Sequence, residues 1–309
     1  MTTIDTMNEK DPFANQTNNG LYVGTTDDGD RLYVDPFAEN GKDRFQNLLT
    51  VGISQTGKTY AVKQAAAEWV AGGEERLLIV VEPFEAFASI IEWFDGERYK
   101  RSDNLPETPS GLDHTHLTLE PTWSQDKISD VVFDYLQAKV DSNGSADTLV
   151  VINEVHSLFQ ATSRFRNLLD RWTGSNTSVW AITRHVHDLI GVPTPPPDRT
   201  LAVKFGTRQC FHSTLTHQKE KHGIDWWFGG AHRETIRSLD PQQCLVLGQL
   251  KRAKSRETKL SSPQSPQEGS IEKTEIETAP EPAHSILEYD SHRDGEFVNY
   301  LNSIDEGWS

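Results

Sequence analysis

Cysteine is scarce: Cys210 and Cys244 are the only two in a chain of 309 residues. Two are too few for a disulfide framework or a Cys-based zinc site. They suit a reduced, intracellular protein in which both thiols are buried as small apolar groups. Long apolar runs are missing as well. Nowhere do about 18 such residues follow one another, so no membrane-spanning helix is expected. The opening MTTIDTMNEKDPFANQTNNG has neither the basic nor the apolar stretch of a secretory signal. Positive charge is short: 30 Lys and Arg stand against 46 Asp and Glu, a net charge of -16. Such a surface argues against a broad, nonspecific grip on nucleic acid, which needs basic groups. The acid is spread along the whole chain and reads as a salt-adapted solubility coat. In molar salt the Debye length is about 3 Å, so a negative surface no longer repels DNA at range. Hydrophobic residues make up only 35%, which implies that part of the chain lies outside any packed core.

The rest is organised as alternating strands and helices. Residues 1–19 are polar and patternless and are expected to be disordered. LYVGTTDDGDRLYVDPF reads as a β-hairpin around an Asp-Asp-Gly-Asp turn. RFQNLLTVG is a strand, KTYAVKQAAAEWVAGG a helix stopped by Gly72 and Gly73, and RLLIVV a strand apolar on both faces. HLTLEP and DTLVVINEVHSLF read as strands, SQDKISDVVFDYLQAKV and SRFRNLLDRWTG as helices, and TSVWAITRHVHDL as a strand and loop. RTLAVKF, CFHSTLT and QQCLVLGQL are three further β-like runs. The alternation predicts βαβ units and a mostly parallel sheet flanked by helices. One large domain is expected over residues 20–251. A linker rich in Ser, Pro, Glu and Lys follows over 252–285, and a short amphipathic segment, helical if ordered, over 286–309.

Chemistry concentrates at strand ends. Gly52-Ile53-Ser54-Gln55-Thr56-Gly57-Lys58-Thr59 fits G-x-x-x-x-G-K-[ST] in full, after a strand and before a helix. Backbone N–H groups of such a loop surround a β-phosphate, the Lys58 ammonium bridges β- and γ-phosphates, and the Thr59 hydroxyl ligates Mg²⁺. Gln55 is unusual in a loop that glycine would ease, yet the pattern needs only Gly52 and Gly57 at set places. The strand LVVI ends in Asn153-Glu154, where an Asp-Glu pair is expected. Glu154 is the candidate base that orients or activates water. Asn153 can still accept a hydrogen bond from a metal-bound water but lacks the charge. Near a dication that loss is worth on the order of a few kcal/mol, so Asn153→Asp is expected to raise Mg²⁺-dependent turnover. Glu82 and Glu85 end another strand. Either can supply the missing charge, or both line a solvated loop. Thr183 and Arg184 end a further strand, where a polar group can sense a γ-phosphate. Arg171, with Arg164 and Arg166 as rivals, can reach a neighbouring subunit's nucleotide as an arginine finger.

The hairpin, NLLTVGISQTGKT, VVEPFEAF, LVVINEVHSL, RWTGSNTSVWAITR and SLDPQQCLVLG, in that order over roughly residues 21–250, together resemble the HerA/FtsK superfamily of P-loop ATPases. With the acidic composition, the chain looks most like the packaging-type ATPases of haloarchaeal viruses or mobile elements. Glu82-Pro83-Phe84-Glu85 is a loose counterpart of that superfamily's Asp-Pro-Lys-Gly-Glu. Thr183 matches its sensor Thr, Arg184 replaces its Gln, and Arg171 with Gly174 matches its helix end. The resemblance implies an α/β P-loop NTPase of RecA-like (ASCE) type with an N-terminal β-hairpin, using ATP and Mg²⁺. It also implies a homo-oligomeric ring, a hexamer, that drives double-stranded DNA through its centre. Lys100-Arg101 and Arg164 or Arg166 are the candidate pore-loop cations, and the C-terminal segment is a candidate docking peptide for a protein partner. The competing reading is a slowly cycling assembly or virion component that does not pump. The expected location is the cytoplasm, including that of a virus host, or the virion.

Overall fold

The structure is a computed structural model. It describes residues 20–26, 30–37, 47–73, 75–100, 105, 106, 109, 113–119, 125–155, 162–172, 175–186, 204–248, 250–253 and 285–288. The elements are β1 (Leu21–Thr26), β2 (Arg31–Val34), β3 (Asn47–Val51), α1 (Lys58–Ala71), β4 (Arg76–Glu82), α2 (Ala88–Trp93), β5 (Glu97–Tyr99), β6 (Thr115–Thr118) and α3 (Gln125–Ser142). They continue with β7 (Asp147–Ile152), α4 (Thr162–Trp172), β8 (Thr177–Thr183), β9 (Phe205–Phe211), α5 (Gln218–Trp227), α6 (Arg233–Ser238), β10 (Gln243–Leu247), β11 (Lys251–Ala253) and β12 (Ser285–Glu288).

All strands join one sheet in the order β11-β2-β1-β12-β10-β9-β3-β8-β7-β4-β6-β5. From β9 to β5 every neighbouring pair is parallel. From β10 to β11 every pair is antiparallel. Side chains alternate between the faces of a strand, so the continuous apolar runs feed two cores. Leu77, Ile79 and Val81 of β4 meet Val150 and Ile152 of β7 on one face, with Leu169 and Trp172 of α4. Leu78 and Val80 meet Leu149 and Val151 on the other, with Ala61, Val62, Ala65 and Trp69 of α1. Burial on both faces is what made RLLIVV and TLVVI legible as central strands.

The hairpin does more than decorate the sheet. It packs against α1, and its Leu21, Val23, Leu32 and Val34 share one core with Ala61, Val62, Ala65 and Trp69 of that helix. Phe37 stacks on Trp69 at 5.4 Å between centroids, and Arg31 reaches Glu68 at 3.3 Å.

Three expectations change. CFHSTLT is not a strand of its own, because Phe205–Phe211 is a single strand, β9, and the chain turns irregular after it. Residues 218–238, read from sequence as neither helix nor strand, hold α5 and α6. The amphipathic pattern starting at Ile286 does not open a helix: Ser285–Glu288 is β12, lying between β1 and β10 and antiparallel to both. Both flanking strands present unpaired N–H and C=O groups on that side, and a third strand satisfies them. β11 likewise lies beyond residue 251, paired with β2. The segments expected to be disordered, 1–19 and most of 252–285, lie outside the described residues, as do 289–309, Arg101 and Gly174.

Candidate functional site

β3 delivers the chain to the C-terminal edge of the parallel strands, where Gly52 turns away beside β9. Its φ is +147°, and a Cβ there would stand 2.7 Å from Phe211 Cβ. Only glycine fits this approach without displacing its neighbour. Beyond it the loop is braced from both sides. Ile53 N–H donates to the His212 carbonyl (3.1 Å), Gln242 N–H donates to the Thr56 carbonyl (3.1 Å), and Thr56 Oγ1 donates to the Ile53 carbonyl (2.9 Å). Ser54 and Gln55 are exposed at the tip. Gln55 has φ +64° and Gly57 +96°, a left-handed backbone that costs Gln55 about 1 kcal/mol and turns amide groups into a concave nest suited to an anion. Gly57 at the N-cap of α1 has no side chain to cap it, which leaves amide donors of the first turn to a ligand or water.

Lys58 opens α1 and is 7% exposed. Its Nζ donates to the Ile53 carbonyl across the loop (2.7 Å). Burial pulls its pKa from 10.5 down to about 8, with the Glu154 carboxylate opposing and Arg184 adding to the fall. A buried ammonium whose charge is disfavoured by its surroundings is complementary to a polyanion. Glu154 follows β7 with φ +55°. Its Oε1 accepts from Arg184 Nε at 3.0 Å. Thr183 ends β8 fully buried, level with Val51 of β3, and donates from Oγ1 to the His185 carbonyl (3.4 Å). Thr59, half-buried, sits in the first turn of α1 beside Lys58. Lys58, Thr183, Glu154 and Arg184 therefore meet at the ends of β3, β8 and β7, with β8 standing between the loop strand and the acidic strand.

Asn153 is 4% exposed and Glu82 is fully buried. β4 and β7 are parallel neighbours with Val81 opposite Ile152, which brings residues 82 and 153 level. Asn153 Nδ2 donates to Glu82 Oε2 at 2.9 Å. Glu82 Oε1 accepts from His116 Nε2 (2.8 Å) and from the Phe87 amide (2.7 Å). Glu82 is thus no solvated loop residue. The contact bears on the expected gain from Asn153→Asp, because an aspartate at 153 would stand at hydrogen-bond distance from the Glu82 carboxyl. Glu85 is separate, paired with Lys100 (2.7 Å) and Arg98 (3.0 Å). That pairing also occupies the pore-loop candidate Lys100.

Arg171 is exposed at the end of α4 and pairs with Asp141 of α3 at 3.6 Å. Neither cysteine is in a disulfide and both are buried, and burial pushes the Cys210 thiol well up. The Arg184–Glu154 pair and the role of His116 escaped the sequence reading. A polar residue inside the apolar run of β6 was the only trace of the latter. Among the described residues no cluster of His, Cys, Asp and Glu suited to a metal is present, and no helix is long and apolar enough to cross a membrane. The hydroxyl of Thr59, the amide oxygen of Asn153 and the carboxylate of Glu154 are all oxygen donors, the type magnesium takes together with water and phosphate.

A glycine loop between strand and helix, a buried lysine, and an acidic strand end separated from it by one strand define a P-loop NTPase of the RecA-like, additional-strand type. No family model matches the chain, and no curated protein matches it in sequence. Solved structures do match, and the likeness is one of fold. VirB4 of Thermoanaerobacter pseudethanolicus aligns with TM-score 0.59 at 12% identity, over 77% of this chain and 96% of VirB4. The genome packaging NTPase B204 of Sulfolobus turreted icosahedral virus 2, in complex with sulfate, aligns with TM-score 0.51 at 14% identity, over 67% of this chain and 95% of B204. The cytoplasmic domain of the Type VII secretion ATPase EccC of Thermomonospora curvata gives 0.52 at 12% identity, over 94% of this chain but 33% of EccC.

Proposed function

We propose that this protein binds and hydrolyses ATP with Mg²⁺ as a motor of the HerA/FtsK type. In this reading it works as a homo-oligomeric ring, a hexamer, that translocates double-stranded DNA in genome packaging or DNA transfer. The observation that carries the reading is the buried Lys58 ammonium in one crevice with Glu154 and Arg184. In this reading the loop amides and Lys58 hold the phosphates, and Thr59 and Asn153 face the metal, Asn153 through water. Glu154 orients the attacking water and takes its proton, and Thr183 lies by the γ-phosphate. Arg171, exposed on α4, is available to the nucleotide of the next subunit. Bound magnesium supplies neutralisation of the phosphate oxygens. B204 is a genome packaging NTPase solved with AMPPCP, which supports both the nucleotide and the class of work. The C-terminal residues 289–309 remain candidates for a protein partner, in the cytoplasm or the virion.

One observation favours a slower device that cycles nucleotide without pumping. Arg184 occupies the Glu154 carboxylate, and residue 153 carries no charge. ATP hydrolysis in high salt, with and without double-stranded DNA, separates the two. The motor requires DNA stimulation and a ring by light scattering, and absence of both leaves the slower device. Lys58→Ala is expected to abolish nucleotide binding, and retained binding would sink either version.

A further inference from the structure

We propose that the cleft between the start of α5 and α6 seats backbone phosphates of double-stranded DNA, apart from the nucleotide crevice. The proposal rests on the DNA-motor reading above. That reading calls for cations, and many of those described are held by acids. Lys100 is paired with Glu85, Arg98 with Glu85 and Glu92, Arg171 with Asp141, Lys204 with Asp170 and Arg184 with Glu154. One cavity differs. It measures about 580 Å³ and is lined by Thr216, His217, Gln218, Lys221, His222 and Arg233, with no acid among them. Lys221 is exposed and has no ion pair among the described residues. Arg233 is held by Asp225, whose carboxylate accepts from Nε and Nη2. That pair fixes the guanidinium plane and leaves the two N–H groups of Nη1 unused by Asp225. Of the other acids in 218–238, Glu220 is buried against Ser213 and His185, and Glu234 is exposed. Lys219, Lys221, Arg233 and Arg237 outnumber these three acids, in a chain of net charge -16.

The side chains choose the ligand. Lysine, arginine, threonine and glutamine are groups that hold DNA phosphates, and such contacts position a duplex without reading its bases. No Phe, Tyr, Trp or aliphatic residue is among the described lining residues, so the base of a free nucleotide would have little apolar surface to pack on. His217, the N-cap of α5, makes no side-chain cap bond, which leaves amide donors of the first turn beside the cavity. The placement joins the cleft to the nucleotide loop. Between Phe211, where β9 ends, and Thr216 lies His212, whose carbonyl accepts from Ile53 N–H. Glu220 reaches His185, just beyond β8, at 3.5 Å. α5 therefore starts at the same edge of the sheet as the nucleotide crevice, yet Lys58, Glu154, Thr183 and Arg184 are not among the lining residues. DNA and nucleotide can be held at once, linked by one short stretch of chain.

The test uses the full chain and a fluorescein-labelled DNA duplex of mixed sequence, with affinity read by anisotropy over a series of NaCl concentrations. Each neutralised phosphate contributes about 0.9 to the slope of log affinity against log salt. Lys221→Gln should make that slope shallower by about 1 and weaken binding roughly tenfold at about 0.1 M salt. Lys221→Arg should keep the wild-type slope. An unchanged slope in Lys221→Gln, or a shallower one in Lys100→Gln alone, overturns the proposal. Inorganic phosphate is the second probe, added to Lys58→Ala protein so that the nucleotide loop does not respond. If phosphate raises its melting temperature, and adding Lys221→Gln removes that rise while Lys221→Gln alone keeps the wild-type duplex slope, the cleft takes a free anion and the DNA assignment is overturned. Duplex binding with a wild-type slope in Lys221→Gln removes this proposal alone. Wild-type protein that binds no duplex at any salt concentration removes the motor reading as well, a distinct result.

Discussion

Lys58 stabilises a bound phosphate and destabilises the empty protein, and the two effects can be measured apart. Burial lowers its pKa from 10.5 to about 8, which corresponds to about 3 kcal/mol against the charged form. The bond from Nζ to the Ile53 carbonyl returns about 1.5 kcal/mol. Lys58→Met keeps the shape and removes the charge. At pH 7, without nucleotide, it should therefore raise stability by about 1–2 kcal/mol and Tm by about 4 °C for a chain of this size. The pH dependence has a definite sign. Between pH 8 and 10.5 the unfolded chain holds a proton that the folded protein has shed, so wild-type stability rises with pH there. The advantage of the variant should shrink across that window. ATP should raise Tm of the wild type and not of the variant, and wild-type affinity should fall about tenfold per pH unit above 8 as the ammonium is lost. Differential scanning fluorimetry from pH 7 to 10, with and without ATP, tests all of this. A variant less stable than wild type at pH 7, or a gap that does not close by pH 10, would refute the reasoning.

Two other outcomes are expected. Burial raises the Glu68 carboxyl from 4.5 to about 7, with Arg31 and Gln64 opposing. The folded protein therefore holds an extra proton between those values and loses about 3 kcal/mol as pH rises through them. Glu68→Gln should be the more stable protein above pH 7, with the difference vanishing below about pH 4.5 in urea titrations. Arg184→Gln frees the Glu154 carboxylate from its ion pair. Steady-state kinetics should show a higher kcat and a weaker KM for ATP, and a fall in both kcat and kcat/KM would mean that Arg184 acts in the transition state instead.

How far the sequence carries depends on whether an interaction is local. The glycine loop, its lysine and the helix after it occupy consecutive residues, so GISQTGKT was legible at once. The buried strands were legible because a parallel strand covered on both faces must be apolar throughout, as RLLIVV is. The hairpin was legible from its turn residues. What escaped were pairings between residues far apart in the chain. Glu82 and Asn153 are 71 positions apart and Glu154 and Arg184 are 30 apart, and only the sheet order brings them into contact. β12 escaped for a related reason: four residues show no preference that outweighs the open edges of β1 and β10. The sequence by itself determined that a phosphate-binding loop is present and that an acidic strand end should face it. The tertiary structure decided what Asn153 faces, because only the register of β4 against β7 puts Glu82 beside it.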